Sequence, residues 1–242
     1  MARMTGFTNI TEGDTLSSDS KKMHSLGQLG ITSDGRKFRY CKAVATTVTG
    51  DCYSSAGQDA QFQSMAVTAN VAIGGTAISV TNGTTTVAAN DFDEGLLMVS
   101  YGTGIGQSSR IKSHTTGTSG ATITYTIEDP LKVAITAASS KITVIKNPYD
   151  DVIIQAATPV AQTAGIAVYA IPAGEYGWLQ TGGPAACLFD ASVCAVDTLG
   201  VAGSTTTAGA VRVSAAGTEH IGNAMQVVPV SAYVCPVFLT ID

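Results

Sequence analysis

The segment 121–127, Ala-Thr-Ile-Thr-Tyr-Thr-Ile, alternates apolar and hydroxyl side chains with a strict period of two. That pattern sets Ile123, Tyr125 and Ile127 on one face of a strand and Thr122, Thr124 and Thr126 on the other. One face is dry and one wet, so the sheet is antiparallel there. Further β-branched runs stand at 36–40, 44–48, 77–81, 95–101, 107–113, 141–146 and 152–156, then at 165–171, 176–180, 185–189, 210–213, 224–230 and 234–241, parted by Gly-, Ser- and Thr-rich breaks. Their spacing predicts an all-β fold of small sandwich or barrel-like domains. Helix is expected only as a turn or two over 131–139, after Asp129-Pro130 stops a strand. Asn82-Gly83, between 77–81 and 84–87, reads as a two-residue hairpin turn with both residues at positive φ.

Composition narrows the class. Charged residues make up 13% of the 242 and aromatics 6%, while Gly occupies 26 positions. So small a charged fraction excludes a charge-driven disordered chain, a coiled coil and a nucleic-acid-binding tail. With one Trp and six Met, most burial falls to Val, Ile, Leu and Ala. No stretch approaches the roughly 18 apolar residues of a membrane span, and 1–18 lacks the apolar core of a secretory signal. Neither nucleic acid nor membrane is an expected partner.

The first forty residues follow no period, which predicts an extended N-terminal arm over 1–42, a β-domain over 43–148 and a second over 149–242. All seven prolines lie at or beyond Pro130, and Asn147-Pro148-Tyr149-Asp150-Asp151 reads as the junction. Charge is uneven along this plan: 1–42 holds seven bases against four acids, net +3, and the rest six against fourteen, net −8. An arm so composed is expected to order along a partner subunit, with Arg36, Lys37, Arg39 and Lys42 meeting acidic groups and Phe7, Ile10, Leu16, Met23 and Leu26 entering grooves. The run 203–209 is expected as a mobile loop, and Pro236 puts the closing strand at an edge or a bulge.

Candidate chemistry is sparse. Tyr101-Gly-Thr-Gly-Ile-Gly-Gln107 has alternate glycines but lacks the third-glycine spacing and following helix of a dinucleotide fingerprint, so it reads as a tight turn or a bulge between strands. His24, His114 and His220 are scattered, without a nucleophile elbow or a zinc-binding helix around them. Asp91, Asp93 and Glu94 are the densest acids, short of a calcium loop's ligand count, and they read, with Asp150-Asp151, as solvated turns. Cys41, Cys52, Cys187, Cys194 and Cys235 show no metal spacing and read as buried thiols, with a Cys187–Cys194 bridge as the alternative. Asn9-Ile10-Thr11 and Asn82-Gly83-Thr84 match a glycosylation acceptor, which has no consequence without secretion. Trp178 reads as the anchor of its domain's core, with a ligand platform or a subunit contact as the other possibilities. No catalytic, cofactor-binding or metal-binding residue is assigned.

The stretch 174–185, Gly-Glu-Tyr-Gly-Trp-Leu-Gln-Thr-Gly-Gly-Pro-Ala, with the small-residue run 200–210 and Ile221-Gly-Asn-Ala224, resembles the capsid decoration (cement) proteins of tailed bacteriophages. Upstream, 104–111 and 146–151 are similar to the preceding β-domain of those proteins, so the likeness spans roughly 60–242. The resemblance implies a homotrimeric structural protein of the virion surface, seated where major capsid protein subunits meet, with no enzymatic residues and no cofactor. Stacked β-domains of small residues with few titratable groups fit a chain that packs rather than moves protons. A virion fibre or tail-associated protein binding a host receptor or glycan is the alternative, and a β-sandwich hydrolase is a third class.

Overall fold

The computed structural model describes residues 6–157, 161–190, 200–214, 219–227 and 233–242. Among these the chain is all-β. The strands are β1 (Phe7–Asn9), β2 (Leu29–Ile31), β3 (Lys37–Lys42), β4 (Cys52–Ser54), β5 (Met65–Ala66), β6 (Ala77–Thr81), β7 (Leu96–Tyr101), β8 (Ser108–His114) and β9 (Thr122–Ile127), followed by β10 (Lys141–Ile145), β11 (Ile153–Ile154), β12 (Thr163–Ala167), β13 (Tyr176–Leu188), β14 (Gly200–Gly203), β15 (Val211–Val213), β16 (Gly222–Ala224) and β17 (Val234–Thr240). The described helix is one turn, α1 (Glu12–Thr15), plus a 3-10 turn at Ala60–Phe62. Thr11 caps α1 by accepting the Asp14 N–H, while the Asp14 carboxylate accepts the Thr11 N–H at 2.7 Å. No helix forms over 131–139, where Gln107 Oε1 instead accepts the backbone N–H of both Lys132 and Val133 at 2.8 Å.

The chain divides into two compact units, Met1–Ala56 with Pro148–Asp242, and Gly57–Asn147 between them. This corrects the division at 42 and 43. The first 42 residues are not a separate arm, and residues 43–56 belong with the C-terminal part. The reason is pairing: β3 lies in register beside β13, β2 beside β3, and β1 runs parallel to β2. Apolar side chains then follow, since Ile10 and Leu26 share a buried cluster with Phe38, Tyr40 and Trp178. Irregular sequence between short strands hid a segment whose local pairs are completed against β13, over a hundred positions away.

In the larger unit an 11-stranded sheet runs β1-β2-β3-β13-β17-β16-β14-β15, with β12 joining β13 to β4 and β11 pairing β4. Its spine is β13. Sequence places a break at Gly182-Gly183-Pro184, yet the strand runs through it, with Gly183 at φ +82° and a register shift against β3. In β17, Pro236 sits inside the sheet, not at its edge. It accepts the Met225 N–H at 2.9 Å and has no N–H to return, so pairing with β16 stops at Ala224.

The inserted unit is a six-stranded sheet in the order β5-β10-β7-β8-β9-β6, which a Val67–Val80 bridge brings round on itself as a barrel. Ile123, Tyr125 and Ile127 point into its core, as their alternation requires. Asn82-Gly83 is not a hairpin turn. Strand β6 pairs with β9, neither residue has positive φ, and the buried Asn82 amide donates to Thr85 O and Thr118 O. Gly83 is needed for closeness instead, because a Cβ there would stand 2.7 Å from the Gln61 carbonyl oxygen.

Candidate functional site

The nine residues expected to meet a partner separate into three groups. Each of the four bases, Arg36 just before β3 and Lys37, Arg39 and Lys42 on it, already has a carboxylate or carbonyl within its own chain. Arg36 pairs with Asp34 at 2.7 Å and with Glu12, and Lys42 with Asp151 at 2.8 Å. Arg39 grips Asp242 with two nitrogens, 2.7 and 2.9 Å, and donates to Gly27 O, while Lys37 reaches the Asp242 main-chain oxygen at 3.2 Å. These pairs hold β3, and their charge is largely spent inside the unit. Hydrogen bonds from Thr32 and Arg36 lower the Asp34 carboxyl to about 2. Burial alone would push the Asp242 carboxyl up, but the hydrogen bonds and charge of Arg39 outweigh it and hold the group below the usual carboxylate range.

Ile10 and Leu26 form the second group, buried against Trp178. Phe7, Leu16 and Met23 form the third and stand 55%, 49% and 66% exposed. Among the described residues of the N-terminal segment these three are the large apolar side chains that stand exposed, and the sequence offered no signal to tell them from the buried pair.

Trp178 is buried, with Tyr40 edge-on at 5.0 Å and His24 at 5.3 Å, so it anchors the core. A Cβ on Gly30 would come within 2.8 Å of its ring, which explains a glycine in β2. His114 belongs to the barrel. Its Nε2 accepts the Phe92 N–H at 2.9 Å and its Nδ1 faces Thr115 O at 2.9 Å, so the backbone sets its tautomer. His220 contacts Asn223 at 3.2 Å. Lys146 pairs with Asp91, and Arg110 with Glu94. Gly102, Gly104 and Gly106 all have positive φ in a tight β7–β8 turn, where the Gly106 N–H returns to Val99 O. Among the described residues no group of three or more His, Cys, Asp or Glu could hold a metal ion.

Cys41, Cys52, Cys187 and Cys235 are buried free thiols, and burial raises the first three well above their usual range. Cys52 also donates to Gln155 Oε1 at 2.7 Å. Cys194 and its suggested bridge lie outside the described residues. The run 203–209 is tied down rather than loose: Ser204 donates to Asp190 at 2.6 Å and accepts the N–H groups of Thr206 and Thr207.

Two concavities stand out among the described residues. In the larger unit, Val44, Val48, Tyr53, Val152 and Ile154 line an apolar groove of about 260 Å³. At the barrel, Leu97, Val99, Ile127 and Leu131 floor a cavity of about 200 Å³ with Asp129 and Lys132 at its lining. Both suit apolar groups; Ser108, Ser109, Asp129 and Lys132 share the lining of the second, where Ser109 Oγ accepts the Asp129 N–H at 2.9 Å. Comparison with family models, with curated proteins and with solved structures returned no match.

Proposed function

We propose that this chain is a structural virion protein that decorates a bacteriophage capsid and stabilises it by binding at junctions between major capsid protein subunits. In this reading it is not an enzyme, it works at the capsid surface, and its partners are the capsid protein and its own copies. The observation that carries the reading is the state of the N-terminal segment. Ion pairs and Trp178 packing fix it to the larger sheet, while Phe7, Leu16 and Met23 remain outside as apolar anchors on a rigid base. Anchors held in advance lose little conformational freedom on docking, and apolar contacts supply affinity that exposed charge pairs do not. The resemblance at 174–185 points to the same class of protein.

The test is occupancy on particles that lack the protein. Phe7→Ser, Leu16→Ser and Met23→Ser together are expected to abolish binding while the chain's melting stays unchanged. Wild-type occupancy by the triple variant overturns the reading. Copy number separates it from the fibre alternative, since a decoration protein covers the lattice and a fibre occupies few positions.

A further inference from the structure

The apolar groove of the larger unit has a carboxylate at its border. Asp51 precedes β4 by one residue, is only 6% exposed, and donates its N–H to Val48 O at 3.1 Å. A Cβ placed on Gly209 would stand 2.9 Å from Asp51 Cγ and 2.8 Å from Ile154 Cδ1, so the two side chains flank one spot. Ile154, Val48 and Tyr53 all line the groove. The Asp51 carboxylate has no hydrogen-bond or ion-pair partner among the described residues, and burial pushes it up. A buried carboxylate is ordinarily paired, because leaving it alone is costly. The surrounding sequence supplies no cation for it. Over 43–56 and 148–242, the parts of this unit outside its N-terminal segment, the one Lys or Arg is Arg212, which already donates to Thr205 Oγ1 and Val213 O. Lys42, the base next along the chain, is held by Asp151.

We propose that this groove receives a lysine side chain of a partner polypeptide, with its ammonium on Asp51 and its alkyl stem along Val48, Tyr53 and Ile154. Charge selects the head group. A single unpaired carboxylate calls for a positive donor, and the apolar walls call for an unbranched stem; lysine joins the two. Arginine suits the place less, because a guanidinium brings more donors than one carboxylate between apolar walls can satisfy. Exposure selects the source. Val44, Val48 and Ile154 stand open around the acid, and a free amine would leave them so, whereas the residues flanking a lysine in a polypeptide cover them. Attraction between the two charges is stronger at a buried acid than at an exposed one, which gives the pairing its selectivity. The proposal follows from this groove alone and does not rest on the virion reading.

The probe is the peptide acetyl-Ser-Val-Lys-Val-Ser-amide, titrated into the full chain and followed by backbone amide chemical shifts. Saturable shifts are expected over 44–54 and 152–154, with Kd on the order of 0.1–1 mM for so small a contact. The same peptide with norleucine for lysine keeps the stem and lacks the ammonium, and it is expected to bind about tenfold or more weakly. Asp51→Asn keeps the shape and removes the charge, so it is expected to erase that difference while the melting temperature holds or rises. Should that variant fail to fold, the comparison of lysine with norleucine on the unaltered chain still decides. Equal binding of the two peptides overturns the proposal, as does a lysine preference that survives Asp51→Asn or a set of shifts outside the groove. An arginine peptide that binds more tightly overturns the choice of lysine. If n-butylamine binds as tightly as the peptide, the ligand is a free amine and the polypeptide source is overturned. Absence of binding up to about 5 mM peptide overturns the whole.

Discussion

Tyr125 lies fully buried in the barrel with its hydroxyl making no hydrogen bond among the described residues. Its ring earns its place beside Phe92 and His114, but a buried hydroxyl without a partner costs about 1–3 kcal/mol of lost hydration. Tyr125→Phe keeps the ring and removes the penalty, so thermal melting should rise, by about 1 kcal/mol of added stability. A lower melting temperature would mean that the hydroxyl is bonded after all. The Arg39–Asp242 pair makes the opposite kind of prediction. The Asp242 carboxyl is lowered in the folded chain relative to its usual 3.8, so its contribution is present above that value and lost as pH falls through the folded one. Both side chains are less than a third exposed, and charge-assisted hydrogen bonds of this kind contribute about 1.5–3 kcal/mol. Arg39→Met should therefore lower the melting temperature near pH 7, and the deficit should shrink steadily as the solution is acidified below pH 3.8. A deficit equal at both ends would show that lost packing, not the ion pair, is responsible.

At the scale of elements, legibility followed locality. The 121–127 strand could be read residue by residue because its alternation is a local consequence of one covered face, and Ile123, Tyr125 and Ile127 are where it placed them. The tight turn at Gly102, Gly104 and Gly106 was legible for the same reason, since positive φ is written into residue type. Asn82-Gly83 carried an equally local signal that tertiary structure overrode: β6 finds β9 rather than 84–87, and the glycine serves the approach to Gln61. Strands β1 and β2 were illegible because three residues are too few to show a period, and their stability comes from Trp178, far along the chain. The candidate surface was legible only in part. Phe7 and Ile10 look alike in sequence, and only the β1–β2 pairing decides which is covered. A consequence is that the first residues are structural as well as outward-facing. Deleting 1–31 should expose Trp178, shift its fluorescence to the red and lower the melting temperature markedly, because Ile10, Leu26 and β2 leave with it. Unchanged emission would show that the segment does not cover the ring.

On the scale of the whole molecule, the two units keep separate accounts of stability. The barrel unit, 57–147, has a core drawn wholly from itself, from Phe62 to Val144, and its sheet turns back on itself through the Val67–Val80 bridge, leaving little open edge. It contains neither the tryptophan nor any cysteine of the chain. Trp178 emission and thiol reactivity therefore report only on the larger unit, where Cys41, Cys52, Cys187 and Cys235 lie buried and react no faster than that unit opens. A domain with its own core and no unpaired strand is expected to fold alone. Residues 57–147 produced by themselves should give a β-type far-UV spectrum and one cooperative melt. In the full chain, labelling of those four thiols under mild denaturant should track the loss of Trp178 emission step for step, while the far-UV signal retains the barrel's share until a separate transition removes it. If labelling, fluorescence and far-UV signal were to fall in a single coincident transition, and the 57–147 fragment were to remain unfolded, the barrel would owe its stability to the larger sheet rather than to its own core.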